Sequence, residues 1–138
     1  MTQKVGEAME NNDYKLTDRE TELMELLWNT DQPMTSVEMI EDKRARNWKD
    51  NYLKVMIRSL QKKEMIQVCG LKQYKTQYAR QFEPAISREE YIAKFAVTSG
   101  IKGSSIANVA VEMAKETDSD EEVIARLEEI IQKIKEKN

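Results

Sequence analysis

Histidine is absent from the 138 residues, and cysteine occurs once, at Cys69. Without histidine there is no imidazole to act as a base near neutral pH, and zinc loses a common ligand. One thiol can build neither an internal disulfide nor a thiolate metal site, and it suits a reducing compartment. The four glycines, at 6, 70, 100 and 103, form no phosphate-cradling loop of Walker or Rossmann spacing. Any serine or cysteine nucleophile would lack its usual base. Carboxylates are plentiful, but they sit in helix starts or on solvated faces. These absences argue against an enzyme and against a bound cofactor or metal. No run approaches the roughly eighteen apolar residues of a membrane span. The opening MTQKVGEAMENNDYK has no apolar signal core. The expectation is a cytoplasmic protein without membrane insertion.

What is present is charge, and it is unevenly spread. The formal net charge of -3 hides three unlike blocks. Residues 1–42 sum to -8 and residues 81–138 to -4, whereas residues 43–80 set eleven lysines and arginines against Asp50 and Glu64, a local +9. A basic block of that size is an electrostatic footprint that whole-chain charge conceals. Its plain reading is a solvated surface. Here the cations interleave with Trp48, Asn51 and Tyr52 on a patterned helix, which favours a polyanion as partner.

Four capping-box signatures punctuate the chain: Thr17/Glu20, Thr35/Glu38, Ser87/Glu90 and Ser119/Glu122. Much of the acid is therefore helix punctuation. After Thr17, Leu23, Met24, Leu26, Leu27 and Trp28 define a first helix, stopped by NTDQP. A short second helix follows Thr35. A third runs from about Asp50 to Lys63, with Leu53, Met56, Ile57 and Leu60 spaced as a buried stripe. That stripe leaves Asn51, Lys54, Val55, Arg58 and Lys62 on the other side. Next, MIQVC, then GLK, then QYKTQYA reads as two strands joined by a turn with Gly70 supplying freedom, and Tyr74, Thr76 and Tyr78 alternating on the second strand.

Three helices followed by a hairpin is the order of a winged helix-turn-helix, in which the third helix enters the DNA major groove. The predicted fold is mainly α. A flexible tail (1–13) precedes a winged-helix domain (14–83), and an all-helical dimerisation domain (84–138) follows. The tail helices carry Ile92 and Phe95, then Ile106, Val109 and Met113, then Ile124, Leu127, Ile131 and Ile134. About fifty-five residues cannot bury that much apolar surface alone, so a second copy is expected to cover it. The alternative is that the tail folds back onto the winged domain in a monomer.

The block LTDRETELMELLWNTDQPMTSVEMIEDKRARNWKDNYLKVMIRSLQKKEMI resembles the bacterial penicillinase-repressor family (BlaI/MecI/CopY type). That family's third helix has the form W-x-x-x-T-I/V-x-T-L-I/L-x-R-L-x-K-K-G, and here Trp48 to Glu64 stands in its place. The resemblance covers about residues 14–83 closely and the helical tail more loosely. It implies a homodimeric transcriptional repressor on a palindromic DNA operator. It also implies, as the mode of relief of many members, proteolysis in the dimerisation region through a membrane sensor protease system, while some members respond to copper instead. The candidate cleavage position is Asn108-Val109. By the same resemblance Asn51, Tyr52, Lys54 and Val55 face the groove, Trp48 starts the reading helix, and wing residues Lys72 and Lys75 approach phosphates. Tyr52 and Val55 stand where the family has small threonines, Ser59 where it has arginine, and Glu64 where it has glycine. The tail holds no C-x-C pair for copper.

In the resulting reading, Arg58, Lys62 and their basic neighbours neutralise phosphates, while Asn51, Lys54, Tyr52 and Val55 meet base edges. Trp48 has a second reading as a packing residue at the helix entry, and Tyr52 as one on the domain flank. Cys69 reads as an ordinary strand residue rather than a redox sensor. The rival function is a winged-helix interaction module whose basic face binds an acidic protein partner.

Overall fold

The computed structural model describes residues 15–44 and 48–137. The expected tail at 1–13 lies outside the described residues, as does Arg46 of the basic block. In chain order the elements are α1 (Asp18–Trp28), α2 (Ser36–Glu41), α3 (Asp50–Lys62), β1 (Ile66–Tyr74), β2 (Gln77–Pro84), α4 (Arg88–Thr98), α5 (Gly103–Thr117) and α6 (Asp120–Lys137). The fold is mainly α with a two-stranded antiparallel wing, as the order of patterns implied. Two compact units divide it, the first ending at Ser99 and the second beginning at Gly100.

In the first unit α1 buries Leu23, Met24, Leu26 and Leu27, and α3 buries Leu53, Met56, Ile57 and Leu60. Each set recurs at the helical period, so each helix lies with one side on a shared core. Full burial of such a side chain is worth about 1.5–3 kcal/mol. The boxes at Thr17, Thr35 and Ser87 are all formed. Glu20 goes further than its box. Its buried carboxylate accepts from the Thr17 N–H (2.9 Å), the Ser59 hydroxyl (2.5 Å) and the Lys63 ammonium (2.6 Å). One side chain thus caps α1 and ties it to the last turn of α3.

The third helix ends in a Schellman arrangement. The N–H of Glu64 donates to Gln61 and that of Met65 to Leu60, at 3.0 and 2.9 Å. Glu64 takes φ 61°, a left-handed conformation that L side chains resist and glycine does not.

The wing departs from the sequence reading in two ways. The turn is not at GLK but at Lys75–Thr76, so Tyr74 belongs to β1, Thr76 to the turn and Tyr78 to β2. Lys75 closes it at φ 55°, with its carbonyl accepting from the Gln73 amide at 2.9 Å. Gly70 lies next to a β-bulge instead, because the register slips by one residue between Val68 and Gly70. A loop there would interrupt a ladder that otherwise runs unbroken from Ile66–Pro84 to Tyr74–Gln77. A backbone bridge also sews the chain before α2 to β2: Met34 and Phe82 exchange hydrogen bonds of 3.0 and 2.8 Å.

The fourth helix is fastened at its start to the same unit. The Trp28 indole N–H donates to the Ile86 carbonyl (2.9 Å), and the Leu16 N–H to the Tyr91 hydroxyl (3.1 Å). Arg88 pairs with Glu25 and lies over the Trp28 ring.

In the second unit, α5 is capped by Asp118, which is left-handed at φ 54°. The fourth expected box does not form as drawn. The Ser119 N–H closes the preceding helix onto Ala114 (3.3 Å), and its hydroxyl donates to the Thr117 carbonyl (3.1 Å). With only Asp118 and Ser119 between the end of α5 and the start of α6, the stop signal takes the Ser119 N–H that the glutamate of a start signal would need.

Two stability measurements test this account. Burial alone would raise the Glu20 carboxyl, but Lys63, Ser59 and the Thr17 N–H outweigh it and hold the group below its ordinary 4.5. A carboxyl lowered on folding adds stability above its unfolded value, and that stability fades as acid carries the pH down through the folded value. Glu20→Gln should therefore cost about 2 kcal/mol at neutral pH, with the deficit in urea titrations shrinking below about pH 4. Glu64→Gly should raise the unfolding free energy by about 0.5–1 kcal/mol, since it removes the left-handed strain.

Candidate nucleic-acid interface

Because the Leu53–Leu60 stripe faces the core, α3 turns Asn51, Tyr52, Lys54, Val55, Arg58 and Lys62 to solvent. Val55 is 57% exposed and Tyr52 45%, so neither serves the core. Tyr52 is thus open, in line with its placement among the outward residues. Trp48 stands apart from them. Its ring is buried, and its indole N–H finds no partner among the described residues. The structure assigns it to packing at the entry of α3, the second of its two readings. The hydrophobic spacing did not include it because it precedes the helix.

The basic block is not a uniform field. Lys63 is bound to Glu20, Lys72 to Glu38 of α2 and Lys54 to Asp50 one turn earlier. Arg44 chelates Asp42, whose carboxyl falls to about 2 under its hydrogen bonds. Arg80 lies over the Phe82 ring. Among the described residues Lys43, Lys49, Arg58, Lys62 and Lys75 make no ion pair. Of the two wing lysines, then, Lys75 at the hairpin turn is unpaired and Lys72 is engaged. The partners Glu20 and Glu38 carried a sequence signal only as caps. Their second role links residues 43 and 34 positions apart, beyond any local pattern.

Cys69 is exposed at the bulge, and its thiol donates to the Gln81 carbonyl at 3.6 Å. Burial of the sulfur and the charge of Glu83 push the thiol up, away from the reactive thiolate.

The apolar residues assigned to pairing lie on three helices. On α4, Ile92 and Phe95 are exposed, with Phe95 stacked on Tyr91 at 6.3 Å. On α5, Ile106 and Met113 are exposed and Val109 is half-buried; on α6, Ile124, Leu127, Ile131 and Ile134 are all exposed. Within the second unit α5 and α6 line a groove of about 640 Å³ that includes Ile106, Val111, Ile124, Leu127 and Ile131. The Asn108-Val109 bond lies inside α5. Among the described residues no helix is long and apolar enough to cross a membrane.

A family model described as "Penicillinase repressor" matches residues 16–133, nearly the whole described chain. No curated protein matches the sequence.

Proposed function

Because the chain belongs to the penicillinase repressor family, whose members are DNA-binding transcriptional repressors, we propose that it acts as a homodimer on a palindromic operator. The observation that carries this reading is the division of α3 into a buried apolar stripe and an exposed face with Asn51, Lys54, Val55 and unpaired Arg58 and Lys62. Arg58, Lys62 and Lys75 neutralise phosphates, which gives affinity without sequence information. Asn51 pairs with adenine, Lys54 donates to guanine once it leaves Asp50, and Val55 and Tyr52 lie against thymine methyls.

The exposed aliphatic row of α6 is the natural contact for a second copy, which would bring two reading helices to one inverted repeat. Relief by proteolysis at Asn108-Val109, driven by a membrane sensor protease system, fits this arrangement. The cut would detach α6 from the reading unit, and α5 must unwind locally for a protease to reach the bond.

Selection of duplexes from a random pool should recover an inverted repeat. Lys54→Ala should weaken that site about tenfold, the scale of one lost base contact, and random duplex less. Absence of any inverted-repeat preference at moderate salt would sink the operator reading and favour an acidic protein partner. Removal of residues 119–138 should halve the sedimentation mass and weaken operator binding together. An unchanged mass would rule out α6 as the pairing element.

A further inference from the structure

Glu38 sits at the third position of α2, where its carboxylate accepts from the Thr35 N–H at 2.9 Å. The same carboxylate accepts from the ammonium of Lys72, a wing residue on β1. Lys72 also lies 5.6 Å from the centre of the Tyr74 ring. The Tyr74 hydroxyl shares a 2.9 Å hydrogen bond with that of Thr35, the cap of the same helix. Two contacts therefore join the wing to the start of α2, one ionic and one neutral. The neutral contact holds the strand without help from charge, so the ionic one is free to act on electrostatics alone.

We propose that Glu38 is a positioning residue that withholds the Lys72 ammonium from the DNA backbone, and so sets the sequence-independent part of the repressor's affinity. This rests on the DNA-binding reading above. A phosphate approaching the wing must take Lys72 from a carboxylate already fixed by its cap, and that carboxylate repels the phosphate. Sequence information is not touched, because phosphate contacts carry none. The remaining wing lysine, Lys75, has no such restraint among the described residues.

The test is a double-variant comparison in the full chain. Glu38→Gln keeps the capping box, which accepts glutamine as well as glutamate. Glu41→Gln removes the same charge from an exposed site on α2 that holds no wing lysine. Binding to random duplex should tighten more for Glu38→Gln than for Glu41→Gln, and log K against log salt should steepen by about 0.9, one further phosphate. Lys72→Ala should erase that gain in the Glu38→Gln background and change the wild-type slope little. Equal effects of the two glutamate variants, or an equal loss on Lys72→Ala in both backgrounds, overturns the proposal. A readout without DNA separates this from failure of the DNA-binding reading. An amine-reactive ester, followed by mass spectrometry, should label Lys72 more slowly than Lys75 in the wild type and comparably in Glu38→Gln. Equal labelling in the wild type overturns the restraint, whereas slow labelling without any duplex binding overturns only the role in DNA affinity.

Discussion

Burial of four side chains on one face of α3 is the constraint on which the rest depends. Leu53, Met56, Ile57 and Leu60 have no other way to leave water, and by filling the core they fix the rotation of the helix. Everything on its other side is then presented to solvent by geometry rather than by preference. The Glu20 contacts with Ser59 and Lys63 set the remaining freedom, the height of that helix against α1. That exposed face can be chemically varied, as Tyr52 and Val55 are where the resemblance has threonines, because neither side chain holds the fold together.

Charge is handled in the same divided manner. The +9 block looks like a single attraction for polyanions, yet the structure sorts its members into structural and available cations. Lys63 is internal to the fold, Arg44 stabilises a turn with Asp42, and Lys72 joins the wing to α2. The unpaired cations on α3 and at the hairpin turn remain for a partner. The electrostatic reach of the protein is therefore smaller than its composition suggests, and more localised.

Legibility in the sequence followed the range of the interaction. The caps at Thr17, Thr35 and Ser87 could be read because donor and acceptor lie three residues apart, and the α3 stripe because its period is local. The hairpin was recognisable, but its turn was placed at Gly70 because glycine signals freedom without saying what the freedom serves. Here it serves a bulge, and a lysine takes the left-handed turn position. Ser119 carried a start signal that the end of α5 overrode. Trp48 could not be assigned between surface and core, since a residue just before a helix has no periodic context. The ties of Glu20 and Glu38 depended on the tertiary fold and left no sequence trace beyond their caps.

The bulge beside Gly70 has a bearing on how this gene tolerates change. Side chains alternate along a strand, and one extra residue shifts that alternation for everything after it. Lys72 and Tyr74, which both reach the start of α2, share a face because they lie two residues apart, whereas Cys69 is counted in without a partner on β2. Replacing Cys69 by another small residue leaves that count intact. Loss of its codon would instead close the ladder, since Phe82 and Gln81 are already successive on β2, and would leave Lys72 and Tyr74 opposite Ala79 and Gln77. At this site the pairing with β2, rather than the count of residues on β1, decides which side chains reach α2.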